Sequence, residues 1–488
     1  MTLEGTGIVA LVLYLGALVA ITLRARRARM DSTPSDFYLG GRSLPLFVLF
    51  FTLYATTYSG NTLLGYPGEA YRRGFSWTMA TGFMIAINVT FLALAPVLRQ
   101  AAERHGLVTP GDWIGLRFGS PALTRVVGAI QGLALTNFLL AQLIAMGHVA
   151  SGLTGGALPH AAGVIGFALV ILAYETLGGM RAVAWTDVAQ GILLLVGLAA
   201  MLDWLLEESG GVASVTRWVL AHRPALAAVP SADECRNWAS SLLLLGVGSV
   251  VYPQSIQRIF AAKDRRALYR SFALMAWMPF CTVFVVTLVG IAAVPLLSGL
   301  GTIGADEVVP RIIRLWAEEG PRATLLATLV LLGALAAIMS TADSLLLSLG
   351  SVVAIDIAGW DRLDPRTTKR GQWIAAGLFV AMIAIAVIPR LTLWRLIELK
   401  MEILIQCAPA FLLGARWRAL TAGPVLLGLV AGCVVGVWGI FADVPRMAGV
   451  HTGVAGLAIN LAVVLAGGWL ARGRATGAAE PRATFPGR

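Results

Sequence analysis

The sequence predicts an all-α polytopic membrane protein of about thirteen transmembrane helices, and three observations carry that expectation. Of the 488 residues, 58% are hydrophobic and 13% charged, with a mean hydropathy of +0.79, whereas soluble domains carry roughly a quarter charged residues. Apolar runs long enough to cross a bilayer recur along the chain. Two of those runs carry glycine, proline and polar residues that a continuous helix tolerates poorly.

A span needs roughly 17–25 apolar residues. Such runs fall near 6–23, 46–70, 77–98, 123–150, 159–177, 183–206, 238–259, 271–298, 323–350, 372–389, 394–414, 421–442 and 451–471. The first is read as a retained span and not a signal peptide, because Glu4 precedes it and its arginines follow it. The second holds Tyr54-Ala55-Thr56-Thr57-Tyr58-Ser59-Gly60-Asn61-Thr62, then Gly65-Tyr66-Pro67-Gly68. The seventh holds Gly246-Val247-Gly248-Ser249-Val250-Val251-Tyr252-Pro253-Gln254. Interrupted helices at matching positions of two five-span groups, 2–6 and 7–11, point to a secondary transporter with a five-plus-five inverted repeat. The halves rest on hydropathy alone. The expected organisation is a first span and basic cytoplasmic loop (1–30), a first repeat (31–206), an outer loop and second repeat (207–418), peripheral spans (419–474) and a disordered cytoplasmic tail (475–488).

Basic residues give the orientation. Arg24, Arg26, Arg27 and Arg29 follow the first span; Arg99, Arg104, Arg117 and Arg125 the third; Arg258, Lys263, Arg265, Arg266 and Arg270 the seventh; Arg362, Arg366, Lys369 and Arg370 the ninth. These loops share one side, and the opposite loops 203–237 and 299–321 mix in Asp203, Glu207, Glu208, Asp306, Glu307, Glu318 and Glu319. The positive-inside rule then puts the N-terminus outside and the C-terminus in the cytoplasm of a cell inner (plasma) membrane. Arg72 and Arg73 fall on the outer side against that pattern. The formal charge of +11 reads as topology and attraction to anionic lipid, not nucleic-acid binding. Cys235, Cys281, Cys407 and Cys433 lack metal-like spacing, so neither a disulfide nor a metal cluster is expected. His105, His148, His160, His222 and His451 are scattered with no activated nucleophile, so an enzyme is not expected, nor an organic cofactor.

The ninth span contains Ala336-Ala337-Ile338-Met339-Ser340-Thr341-Ala342-Asp343-Ser344. A carboxylate at mid-bilayer costs about 2.5–3.5 kcal/mol on insertion scales, so Asp343 should face protein, water or a cation. Ser340, Asp343 and Ser344 lie three and four residues apart, on one helix face.

Four strings resemble the sodium:solute symporter family. They are Asp36-Phe37-Tyr38-Leu39-Gly40-Gly41-Arg42-Ser43-Leu44, Gly178-Gly179-Met180-Arg181-Ala182-Val183-Ala184-Trp185-Thr186-Asp187-Val188-Ala189-Gln190, Gln257-Arg258-Ile259-Phe260-Ala261-Ala262-Lys263-Asp264, and the ninth-span string itself. Their order and spacing match over nearly the whole chain, nearest to the pantothenate and proline permease branch. The resemblance implies a LeuT-type core and a sodium-coupled symporter importing a small polar solute: a carboxylate, an amino-acid-like or a vitamin-like molecule. It also implies a sodium site built from main-chain Ala55, Tyr58 and Ala337 with the side chains of Ser340 and Thr341. A hard cation wants several oxygens, and a helix break frees carbonyls to supply them. The plainer reading has Ser340 and Thr341 bonding back to the preceding turn.

The resemblance further implies a second cation site at Asp187 with Ser340, Asp343 and Ser344, Asp343 standing where relatives carry a hydroxyl. Asp187 reads equally as an N-cap of the sixth span, favoured by the helix dipole. Proline-transporting members carry an acid next to the sodium-binding turn, where this chain has Thr57. Substrate candidates are Thr57, Ser59, Thr62, Trp77, Asn88, Gln142, Tyr252 and Gln406, polar or aromatic residues of facing spans. Glu398, Lys400 and Glu402 read as a self-paired network with no role in transport assigned. A proton-coupled carrier using Asp343 or Asp187, and a transporter-like sensor, remain as alternatives. Sodium, a small solute and lipid are the expected partners, and the oligomeric state is left open.

Overall fold

The apolar run at 46–73 does not form one helix. It winds over Leu46–Thr57, turns extended at Tyr58 (φ −98°, ψ 98°), and resumes as a π-turn at Asn61–Gly65 and an α-helix at Tyr66–Arg73. Pro67 lies in the first turn of the last piece, where a missing N–H is tolerated. The run at 232–261 breaks in a related way: a helix over Ala232–Gly248, a 3-10 turn at Ser249–Val251, extended Tyr252, and a helix over Pro253–Ala261, bent by 51° overall. Pro253 starts the second piece and holds Tyr252 out of the helical region.

The structure is a computed structural model and describes residues 3–27, 33–154, 156–298, 304, 307–387, 393–444 and 446–475. Of the tail expected at 475–488, Ala475 closes the last helix and residues 476–488 lie outside the described residues, as do Arg29 and Asp306 of the charge count. Apart from a two-stranded ribbon pairing Arg446–Met447 with Val450–His451, the architecture is helical. Among the described residues nine helices are long and apolar enough to cross a membrane, ten if the bent pair at 232–261 is one span. Of the other expected runs, Leu46–Thr57 and His160–Ala173 are shorter apolar helices. The run from Leu393 divides into Leu393–Leu404, a 3-10 turn and Ala408–Leu412.

Burial ranks the helices. The span containing Pro321–Ser351 is 78% buried over its most apolar window, against 22% for Gly5–Ala25. The former is the centre of the molecule, and the latter presents Ile8, Val12 and Leu13 outward as a lipid-facing helix presents its apolar side. Pro321–Ser351 packs along His160–Glu208 and Pro121–Leu153. His160–Glu208 is broken at Gly179 (φ 60°, ψ −164°), a conformation open essentially only to glycine. Gly60, beside the first break, allows a close approach: a Cβ there would stand 2.7 Å from Ile338 Cγ1 and 2.8 Å from Ala145 Cβ.

Three of the motif strings meet at one end of this core. Arg181 reaches Asp36 at 2.9 Å. Leu44 donates its N–H to the Ala261 carbonyl at 3.1 Å and accepts from Lys263 N–H at 2.9 Å. Arg72 and Arg73, the exceptions to the charge pattern, both pair with the buried Glu69, which offsets their charge locally. One expectation is corrected: Arg258 does not belong to a basic loop, because its side chain is fully buried between helices.

Candidate ion and solute site

The central helix carries Ser340, Ser344, Ser348 and Ser351 at helical spacing, all fully buried. Thr341 stands beside that stripe. Its hydroxyl lies 3.0 Å from the Ala337 carbonyl one turn earlier and 3.3 Å from the Ala55 carbonyl of the facing broken helix. Ala55 belongs to the last turn before the break, where carbonyls lose the N–H partners of a continuing helix. The structure therefore brings Ala55, Ala337 and Thr341 to one place, with Tyr58 fully buried at the break itself. Ser340 precedes Thr341 in the chain and stands next to the Asp187 carboxylate. Main-chain carbonyls with hydroxyls are a donor set that suits a hard cation.

A second, more crowded cluster adjoins the first. Asp187 accepts a short hydrogen bond from the Thr52 hydroxyl and pairs with Arg258 Nη2 at 3.2 Å, both side chains at zero exposure. Arg258 also donates through Nε to the Thr52 hydroxyl at 2.8 Å and its carbonyl at 3.1 Å, and through Nη1 to the Gln254 carbonyl at 3.0 Å. Nη2 makes a further short bond to Ser344 Oγ. The guanidinium thus bridges two residues expected to hold a second cation, Asp187 and Ser344. The capping alternative for Asp187 is corrected as well. Its helix restarts after Gly179, so residue 187 lies about two turns inside, beyond reach of the free N–H groups of the first turn. Asp343 is fully buried, within electrostatic range of Arg258 and Tyr14.

Beside the break opens a narrow cleft of about 70 Å³ between the two broken helices and their neighbours. One wall is polar and comes from the two broken helices, with Thr56, Asn61, Ser249, Gln254 and Ser255. Thr57, Ser59, Thr62 and Tyr252, four of the expected substrate residues, also line it. The other wall is apolar and includes Met84, Phe91, Phe138 and Met401. Thr56 joins the two clusters, its hydroxyl 3.2 Å from that of Ser344.

The remaining four candidates lie elsewhere. Trp77 is buried in an aromatic cluster with Tyr66, Phe83 and Trp394. Asn88 donates to the Met275 carbonyl at 3.0 Å. Gln142 accepts the Gly60 N–H at 3.1 Å and so braces the break. Gln406 donates to the Gly453 carbonyl at 2.8 Å, tying on a peripheral helix.

The family model for the sodium:solute symporter family matches residues 37–432. The chain belongs to the sodium:solute symporter family. It is accordingly an integral membrane transporter, and family relatives are transporters, not enzymes. The sodium/pantothenate symporter of Escherichia coli is 27% identical over 274 residues, 55% of this chain and 56% of that protein. The match therefore spans little more than half that relative's length. A sodium/proline symporter of Staphylococcus aureus is 26% identical, covering 83% of this chain and 80% of its own. A solved Na+-coupled sialic acid symporter superposes with a TM-score of 0.78 over 96% of this chain and 97% of its own, at 18% identity, a likeness of fold.

Two residues beside this site, Arg258 and Lys400, are not assigned to it by the sequence. Arg258 reads as a loop residue because Lys263, Arg265, Arg266 and Arg270 follow it, and its place inside a motif string is the signal that separates it from them. Lys400 lines the cleft. It is not part of a self-paired network: Glu398 pairs with Arg395 and Arg446, and Glu402 with His451. Residues two apart on a helix do not face each other, and that spacing was the signal available.

Proposed function

We propose that this chain is a sodium-coupled symporter that imports a small polar organic solute, carboxylate, amino-acid-like or vitamin-like, by alternating access. The observation that carries the reading is the place of the Thr341 hydroxyl, 3.0 Å and 3.3 Å from the Ala337 and Ala55 carbonyls, with Ala55 directly preceding the cleft-lining Thr56 and Thr57. An ion drawn to those oxygens fixes the broken turn, and the same turn forms the solute's polar wall. Ala55, Tyr58, Ala337, Ser340 and Thr341 hold the sodium. One ion suffices, because the Arg258 guanidinium already supplies the positive charge between Asp187 and Ser344.

The proposal extends to topology. Thirteen spans, with the N-terminus outside and the C-terminus in the cytoplasm of the plasma membrane, fit the charge pattern, and spans 2–6 and 7–11 form the repeats. Transport then proceeds by rocking of the broken-helix bundle against its scaffold, sodium favouring the outward-open state. One sodium ion entering across about 100 mV releases roughly 2.3 kcal/mol, and an assumed tenfold gradient adds about 1.4 kcal/mol. Together they sustain roughly a 500-fold gradient of a neutral or zwitterionic solute.

Uptake into proteoliposomes tests the reading. Purified protein should accumulate solute only under an inward sodium gradient, and Thr341→Ala should need at least about tenfold more sodium to do so. Uptake that follows a proton gradient and ignores sodium would replace the reading with a proton-coupled carrier.

A further inference from the structure

The cleft contains one formally charged side chain among the described residues, and it has no carboxylate partner there. Lys400 is 5% exposed. Its ammonium lies 3.1 Å from the centroid of the Phe138 ring and 5.6 Å from that of Tyr252. The acids on its own helix turn away: Glu398 is held by Arg395 and Arg446, and Glu402 by His451 and the Gly453 N–H. No Asp or Glu lines the cleft. Aromatic faces attract a desolvated ammonium, which offsets only part of the cost of burying a charge without an anion. Two further polar groups on the cleft wall are buried without a protein hydrogen-bond partner among the described residues, the Asn61 amide and Gln254 Oε1. Buried polar groups are almost always satisfied, so these groups are poised to be completed by something that enters.

We propose that Lys400 is the counter-ion for a carboxylate of the transported solute, and that the solute is a small monocarboxylate with no positively charged group, carrying hydroxyl or amide functions for Asn61 and Gln254. The proposal rests on the transport reading above and narrows its substrate class. An ammonium-bearing solute finds no acid in the cleft to pair with and is repelled by Lys400. An uncharged solute leaves Lys400 without its anion. The apolar wall takes the solute's carbon skeleton.

The test is a thermal-stability titration of purified full-length protein against pantothenate, lactate and other small monocarboxylates, each beside its uncharged alcohol or amide such as panthenol or lactamide, with L-proline as the zwitterion. Each is measured with and without sodium. Wild type should prefer a carboxylate over its uncharged analogue by about 10- to 100-fold, the worth of a charge-assisted hydrogen bond. Lys400→Met should erase that ratio while keeping the shift produced by sodium alone, and Lys400→Arg should retain part of it. A merely structural Lys400 would leave the ratio unmoved even where stability falls. The proposal is overturned if uncharged analogues or L-proline bind as well as the carboxylates, if no carboxylate binds, or if Lys400→Met keeps the preference. Absence of a sodium shift in the wild type, with the carboxylate ratio intact, would remove the sodium reading and leave this one standing.

Discussion

Replacing Thr341 by Ala takes one oxygen from the place where the Ala55 and Ala337 carbonyls converge, whereas Thr341→Ser keeps it. Sodium half-saturation of uptake should rise at least about tenfold in the first variant and stay within about threefold in the second, given roughly 1.5–3 kcal/mol for a polar contact to a charge. Arg258 and Asp187 behave differently, because each neutralises the other at zero exposure. Arg258→Gln or Asp187→Asn alone leaves a buried charge uncompensated, at a cost of about 3–5 kcal/mol. Each single variant should therefore lose most of its monodisperse yield after mild heating, and the double variant should recover at least half. Equal losses in single and double variants, read by size-exclusion chromatography, would contradict a direct ion pair.

The first broken helix is held in place by a close approach and a side-chain brace. Gly60 leaves no room for a methyl group between Ile338 and Ala145, and its N–H is taken by Gln142. Gly60→Ala should destabilise by about 1–3 kcal/mol through overpacking and weaken sodium binding, since the Ala55 carbonyl lies one turn away. Gly82→Ala is the control: a methyl there meets nothing closer than 3.8 Å, so it should be neutral or stabilising by up to about 1 kcal/mol. Differential scanning fluorimetry compares the two. The breaks at Tyr58 and Tyr252 were legible in the sequence, because glycine, proline and hydroxyl residues crowd both runs. The convergence of Ala55 with Thr341 was legible only through the family resemblance, since no spacing rule joins residues 286 positions apart. Asn88, Gln142 and Gln406 looked like binding residues because they are amides in apolar runs. Each binds a neighbouring backbone group instead, the usual use of a buried amide. Arg258 was hidden because charge counting along the chain cannot tell a loop arginine from one whose acid lies 71 residues away.

At the scale of the whole molecule, Arg258 and Lys400 decide the energetics. If Arg258 replaces a second sodium ion and Lys400 receives a monoanion, one cycle carries one sodium and one carboxylate and moves no net charge. The membrane potential, roughly 2.3 kcal/mol per 100 mV for each charge moved, then drops out. A tenfold sodium gradient supports only about tenfold accumulation of the solute. Uptake of the preferred carboxylate into proteoliposomes at a fixed sodium gradient should accordingly not change when a potassium diffusion potential is imposed with valinomycin. An inside-negative potential that raises the plateau would mean either a second coupled cation or a solute without net charge.

The central claim is a single sodium site made by the broken turn at Ala55 and the central helix at Thr341. Equilibrium binding of radioactive sodium to purified protein measures it most directly. The account predicts one ion per chain in the wild type, tightened by the transported carboxylate, and binding at least about tenfold weaker in Thr341→Ala. Two ions per chain, or unchanged binding in Thr341→Ala, would contradict it.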